Sequence, residues 1–180
     1  GVDLILTVDC GISAFEPCRL AKEIGLKVVI TDHHLGDCKL PEAEAVVNPN
    51  RLDETTIYKN LAGVGVGFLF LVALNKKLRE NKFFEESNLK EPNLLQFLDL
   101  VALGTICDVV PLVGLNRAFV RQGLKVIHNR TNSGIKSLIN ISEIEEEIGT
   151  YHIGFILGPR INSTGRIGES DLSSKLLCLK

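Results

Sequence analysis

Three stretches of this sequence end apolar runs in side chains that can hold a metal ion. Val28-Val29-Ile30-Thr31 leads into Asp32-His33-His34, one carboxylate followed by two imidazoles. Leu4-Ile5-Leu6-Thr7-Val8 leads into Asp9, and Val101-Ala102-Leu103-Gly104-Thr105-Ile106-Cys107 leads into Asp108. Asp108 is followed by Val109-Val110-Pro111, so it reads as an aspartate buried in apolar surroundings. Such a charge needs a partner, because an unpaired buried charge is costly. Carboxylates combined with imidazole suit Mn²⁺, Mg²⁺, Fe²⁺ or Zn²⁺, and the oxygen-rich balance favours Mn²⁺ or Mg²⁺. Asp9, His33, His34 and Asp108 are therefore expected to form one metal site. Each has a plainer reading: Asp9 as a helix cap or strand-end loop residue, His33-His34 as an exposed pair. Three such features at element ends together favour the metal. Zinc held by Cys10, Cys38 or Cys107 with the histidines is the competing metal reading, and no Cys-x-x-Cys pair supports it.

The elements that must position these groups follow from the pattern around them. Leu4 to Cys10 is apolar almost throughout, as for a strand covered on both faces. Gly11 breaks it, and Ser13 with Glu16 fits a capping box. Phe15, Cys18, Leu20, Ala21 and Ile24 supply a helix stripe, with Pro17 in the first turn and Gly25 as the stop. Lys27 to Thr31 is the next strand. Strand, helix and strand within about thirty residues make a βαβ unit with parallel strands. Parallel strands finish at the same sheet edge, so Asp9 and Asp32-His33-His34 become neighbours where open α/β sheets place their ligands.

Further along, residues 35–60 read as a long connection with a short strand at Ala45 to Val47. Leu61 to Arg79 reads as a buried helix entered through Gly63, Gly65 and Gly67, glycines that suit close packing against a neighbour and lack phosphate-loop spacing. Residues 80–93 read as loop. Leu94 to Leu103, Leu115 to His128, Ile135 to Ile139 and Tyr151 to Leu157 read as helices, with a short acidic turn capped by Ser142 and Glu145. Arg117, Arg121, Lys125 and His128 form one helix stripe, which is ordinarily just solvated. Gly158 to Arg166 reads as a polar loop in which Arg160, Asn162 and Arg166 could meet phosphate oxygens. Asp171 starts a last helix.

The bulk numbers set the class. The chain has 180 residues, 45% of them hydrophobic and 23% charged, ordinary for a folded domain. A net charge of −2 provides no global field for nucleic acid, so any such binding must use a local basic face. Cys10, Cys18, Cys38, Cys107 and Cys178 are odd in number and follow no framework spacing. They read as buried free thiols in a reducing, cytoplasmic setting. The longest apolar run, Leu61 to Leu74, is too short to cross a bilayer, which takes about 20 residues. The abrupt start, without Met and directly before a strand, reads as a fragment of a longer protein.

Thr-Val-Asp-Cys-Gly-Ile (7–12), Thr-Asp-His-His (31–34) and Ala-Leu-Gly-Thr-Ile-Cys-Asp-Val-Val-Pro-Leu (102–112) resemble the second, third and fourth motifs of the DHH phosphoesterases. Gly-Pro-Arg-Ile-Asn-Ser-Thr-Gly-Arg-Ile (158–167) resembles the single-strand-specific exonucleases within that superfamily. The resemblance covers nearly the whole chain. It implies an α/β fold: a parallel-sheet DHH domain, part of a doubly wound sheet, with an added helical segment. Residues 1–157 would be that domain, lacking the family's first motif. Residues 158–180 would be a loop and the start of a linker helix.

By position, the resemblance makes Asp9 the carboxylate bridging two metals, and His33 and Asp108 ligands. His34 would face the scissile phosphate, with Asp32 supporting it. Arg160, Asn162 and Arg166 would meet DNA phosphate. The implied activity is 5′-to-3′ hydrolysis of single-stranded DNA in recombination and repair. It would use two Mn²⁺ or Mg²⁺ ions, with single-stranded DNA and other DNA-repair proteins as partners and no membrane. Paired ions supply both a nucleophile at neutral pH and charge neutralisation. Without the first motif the chain is expected to bind metal weakly and to be inactive or nearly so. A nanoRNase or cyclic-dinucleotide phosphodiesterase, or a non-catalytic DHH scaffold, remains open as an alternative.

Overall fold

The computed structural model describes residues 1–167 and 171–179. The chain divides into two compact units, residues 1–94 and 95–180.

The first unit is built on a three-stranded parallel sheet in the order β1 (Leu4–Val8), β2 (Lys27–Thr31), β3 (Ala45–Val47). Helix α1 (Phe15–Glu23) connects β1 to β2, as the βαβ reading requires. Its apolar side, Cys18 and Ala21, packs on Val28 and Ile30 to form this unit's core. Register runs from Leu4 opposite Lys27 to Val8 opposite Thr31, so both strands finish level. Helix α2 (Gly63–Glu80) and a short α3 (Phe83–Glu86) complete the unit.

Four expectations for this unit change. Strand β1 is not covered on both faces: it is an outer strand of the described sheet, with Leu4, Leu6 and Val8 about half exposed. No capping box forms, since Ala14 is the N-cap and Glu16 instead accepts from Arg19 Nε at 2.9 Å. Helix α2 is only half-buried, because Leu71, Val72 and Leu74 face solvent while Gly63, Gly65, Val66, Phe68 and Asn75 face inward. Residues 80–93 are not all loop, since α3 lies within them.

The second unit is helical. A 3₁₀ turn (Leu94–Phe97) leads into α4 (Leu98–Cys107), then α5 (Gly114–His128), α6 (Ser133–Ile141), α7 (Thr150–His152), α8 (Gly158–Ile167) and α9 (Leu172–Leu177). Its core joins Leu103, Ile127, Ile135, Ile139, Ile144, Ile148, Ile153 and Leu157. Helices α4 and α5 approach closely at Gly123, where a Cβ would stand 2.1 Å from the Leu98 carbonyl oxygen. Asn132 caps α6 by accepting from the Ile135 N–H at 3.0 Å. Residues 142–149 form no helix, and Ile144 and Ile148 anchor that segment in the core instead.

The segment expected as a polar loop, 158–166, is helical. It continues from α7 through a π turn at Ile153–Leu157. Pro159 has no N–H to donate, and the π turn shifts the hydrogen-bond register just before it. Ser163 Oγ and Thr164 Oγ1 bond back to the carbonyls of Arg160 and Ile161 at 2.7 and 2.9 Å. All five cysteines are free, as expected, but only Cys18 is buried.

Candidate metal centre

The level finish of β1 and β2 sets Asp9 beside Asp32. The Asp9 N–H donates to the Thr31 carbonyl at 2.9 Å, extending the parallel ladder by one rung. Its backbone then turns into the left-handed region, with φ +64°, which swings the chain away from the sheet. Gly11, at φ +118°, completes the turn. A Cβ there would meet Thr7 Oγ1 at 2.8 Å. Thr7 Oγ1 itself donates to the Cys10 carbonyl at 2.8 Å, so the turn is pinned from below.

Asp32 organises the other side. It is almost wholly buried and accepts from the Ile12 N–H at 2.8 Å, the His33 N–H at 2.7 Å and the His34 N–H at 3.2 Å. Its Oδ1 also lies 2.7 Å from His34 Nδ1. Burial pushes this carboxyl up, but the bonds from Ile12, His34 and His33 together outweigh it and hold it below the usual carboxylate range. One buried anion therefore ties the β1 turn to the β2 turn.

The two imidazoles are oriented by their inner nitrogens. His33 Nδ1 lies 3.0 Å from the Leu61 carbonyl oxygen. A carbonyl can only accept, which assigns the proton to Nδ1. His33 Nε2 lies 3.2 Å from Asp9 Oδ1, without hydrogen-bond geometry. When the ring is neutral, Nε2 presents a lone pair toward the same point as that carboxylate oxygen, an arrangement suited to a cation placed there. His34 Nδ1, held by Asp32, likewise places its proton toward the carboxylate and turns Nε2 outward. Ligand atoms of Asp9, His33 and His34 lie within 4.8 Å of one another. Among the described residues no second group of three such side chains comes this close.

Sequence reasoning missed four supports. Asn48 Nδ2 donates to the His34 carbonyl at 2.9 Å, Asn50 Nδ2 donates to the His33 carbonyl, and Asn48 Oδ1 accepts from the Asn50 N–H at 2.7 Å. The signal was present as Asn48-Pro49-Asn50, a turn sequence directly after β3. The Leu61 carbonyl left no such signal. Gly63 is the fourth: a Cβ there would stand 2.0 Å from Asp9 Oδ1.

The remaining candidates lie in the second unit. Asp108 is exposed rather than buried, at the C-terminal end of α4, so the desolvation argument for it does not hold. Arg160, Asn162 and Arg166 do not share a loop. On a helix turning about 100° per residue, Asn162 and Arg166 share a face and Arg160 points nearly opposite to Asn162. Arg160 Nη1 donates to the Ile156 carbonyl at 2.9 Å.

Comparison with known proteins places this geometry in a family. Residues 3–105 match the DHH family, N-terminal domain. The single-stranded-DNA-specific exonuclease RecJ of Salmonella typhimurium is 45% identical over 179 residues, covering 98% of this chain and 31% of that protein. RecJ of Bacillus subtilis is 40% identical over 182 residues, covering 98% of this chain and 21% of that protein. The chain thus spans less than a third of either relative. The crystal structure of RecJ in complex with Mn²⁺ from Thermus thermophilus superposes with a TM-score of 0.78 at 36% identity, over 99% of this chain and 25% of that one. A second crystal structure, exonuclease RecJ bound to manganese, gives 0.77 at 36% identity, over 97% of this chain and 41% of that one.

Proposed function

The chain is a member of the DHH family, and from that premise we propose that it carries part of the metal centre of a single-stranded-DNA-specific exonuclease. The observation that carries this reading is the convergence of Asp9, His33 and His34 at the carboxyl ends of two parallel strands. The relatives that match nearly all of this chain are exonucleases of that specificity, and solved relatives hold Mn²⁺ or Mg²⁺. Both findings support a Mn²⁺- or Mg²⁺-dependent phosphodiester hydrolase over the small-substrate and scaffold alternatives.

In this reading Asp9 and His33 are metal ligands, and Asp108 is a further ligand by its position in the motif 102–112. His34 faces the scissile phosphate. A bound divalent ion would supply charge neutralisation for the phosphoryl oxygens and a nucleophile at neutral pH. The chain's own residues do the positioning. Asp32 fixes the His34 ring through Nδ1, the Leu61 carbonyl fixes His33 through Nδ1, and Asn48 and Asn50 hold the peptide carbonyls of both histidines. Asn162 and Arg166 on one face of α8 are suited to DNA phosphate. Hydrolysis from the 5′ end, a place in recombination and repair with other repair proteins as partners, and a cytoplasmic location belong to the same proposal. So does a division into residues 1–157 as the DHH domain and 158–180 as the start of a linker. No helix among the described residues is long and apolar enough to cross a membrane.

The test uses the longest natural protein containing this chain. It should release nucleotides from 5′-labelled single strands in the presence of Mn²⁺ and lose that activity on Asp9→Ala or His33→Ala. Preferential cleavage of two-to-five-nucleotide RNAs over long single strands would favour the small-substrate alternative. Full activity in Asp9→Ala would overturn the metal centre.

A further inference from the structure

Helix α5 has two contrasting sides. Asn116, Phe119, Val120, Gly123 and Ile127 are buried, while Arg117, Arg121 and Lys125 are exposed on the opposite side at four-residue intervals. No Asp or Glu occurs anywhere between Asp108 and Glu143, although that stretch also contains Arg130 and Lys136. Within a chain of net charge −2 this is a pronounced segregation. Several exposed cations elsewhere pair locally with acids: Arg19 with Glu16 and Glu23, Lys22 with Glu42, Arg79 with Glu91. A stripe serving only solvation would be expected to carry acids one turn away in the same manner. Helix α5 contains none.

The acids come immediately afterwards. Glu143, Glu145, Glu146 and Glu147 follow α6, and this segment folds back onto the end of α5. His128 Nε2 lies 3.0 Å from the Ile148 carbonyl oxygen and its Nδ1 lies 3.4 Å from Glu147 Oε1. The fourth member of the basic stripe is thereby engaged by the acidic segment, and the exposed cationic run ends at Lys125.

We propose that the outward face of α5 is a track for the backbone of a single-stranded DNA, held through Arg117, Arg121 and Lys125 and terminated by the acidic segment 143–147. Four helical residues rise about 6 Å, so the three cations repeat at a spacing comparable with successive phosphates of an extended strand. The stripe has no aromatic side chain for bases to stack on, so its grip is on phosphate and independent of sequence. The inference rests on the proposal that the protein handles single-stranded DNA, but it concerns binding and requires no metal.

The test is therefore run in EDTA. Binding of a fluorescent oligothymidylate to the chain is followed by anisotropy between about 50 and 200 mM salt, the range over which phosphate contacts weaken strongly. Each phosphate contact on a single strand contributes about 0.7 to the slope of log K against log salt. Arg117→Gln, Arg121→Gln and Lys125→Gln combined should lower that slope by about 2. Wild type should accordingly lose roughly 18-fold more affinity than the triple variant across the range. Lys76→Gln with Lys77→Gln, on an exposed part of α2, should leave the slope unchanged. A wild-type slope in the triple variant would overturn the proposal. So would an equal loss in the α2 control, absence of wild-type binding at the lowest salt, or retention on anionic vesicles without binding to the oligonucleotide. In the longest natural protein containing this chain, loss of Mn²⁺-dependent hydrolysis in Asp9→Ala with this binding intact would separate the track from the metal centre.

Discussion

Gly63→Ala should damage the metal centre without replacing any proposed ligand. The added Cβ would stand 2.0 Å from Asp9 Oδ1, 2.5 Å from its Cγ and 2.8 Å from its Cβ. Ordinary contact begins near 3.4 Å, so the Asp9 carboxylate must retreat by about 1.4 Å. Its backbone cannot easily follow, because the Asp9 N–H is bonded to Thr31 at 2.9 Å and φ already sits at +64°. The side chain must therefore rotate, taking Oδ1 away from His33 Nε2. Metal–ligand distances tolerate only about 0.2 Å. Losing even a supporting group costs about 10- to 100-fold in metal affinity, and loss of a ligand should cost at least that. Overpacking adds a stability penalty of about 1–3 kcal/mol. Paramagnetic relaxation by Mn²⁺, which detects weak binding, measures the first effect, and urea unfolding in EDTA the second. Gly67→Ala is the control: its Cβ would meet only Val8 Cγ1, at an ordinary 3.4 Å. Removing a helix-interior glycine there should stabilise by roughly 0.5–1 kcal/mol and leave Mn²⁺ binding intact. A folded Gly63→Ala protein that binds Mn²⁺ as well as wild type would refute the reasoning, as would an equal loss in Gly67→Ala.

Three further changes probe the scaffold. Asp32→Ala removes the acceptor for the Ile12, His33 and His34 N–H groups, and at about 1–3 kcal/mol per stranded buried donor should cost about 3 kcal/mol or more. An unchanged urea midpoint would contradict the role given to this carboxylate. Gly123→Ala places a Cβ 2.1 Å from the Leu98 carbonyl oxygen and 2.4 Å from Ala102 Cβ. It should destabilise the second unit by about 1–3 kcal/mol, read from the exchange protection of amides in α4 and α5. Asp99 is buried in α4, and burial raises its carboxyl above the usual range, against the opposing pull of the Leu100 N–H at 2.7 Å. A raised folded-state value means that the folded chain holds the proton more tightly, so stability falls as pH rises through the unfolded and then the folded value. Asp99→Asn should therefore be the more stable protein at pH 7. Its advantage should shrink as pH falls toward the unfolded Asp value near about 3.9. A constant gap across that range would count against the assignment.

What could be read from the sequence was what local pattern determines. The βαβ unit, the boundaries of β3, and the meeting of Asp9 with the Asp32-His33-His34 triplet all follow from apolar periodicity and the handedness of parallel strands. Segment 158–166 misled for an equally local reason: Gly, Pro, Asn, Ser and Thr are turn formers, and nothing in their order announces the π turn that accommodates Pro159. Packing decides there, since Ile153 and Leu157 are buried in the core on one side of the same helical run, and Gly158 sits where a Cβ would be 2.6 Å from Cys107 Sγ. Asp108 misled because apolar neighbours in sequence need not surround a residue in space: it follows the last turn of α4, where Val109 adopts φ +58° and is itself exposed. The supports of the two histidines escaped for a third reason, although Asn48-Pro49-Asn50 was legible as a turn. Asn48, Asn50 and the Leu61 carbonyl act through backbone groups and across long sequence separations, and a carbonyl oxygen has no sequence signature at all. Ligand types can thus be found in a sequence wherever elements end. The tautomers that suit such side chains to hold a metal are set by partners that only the folded chain reveals.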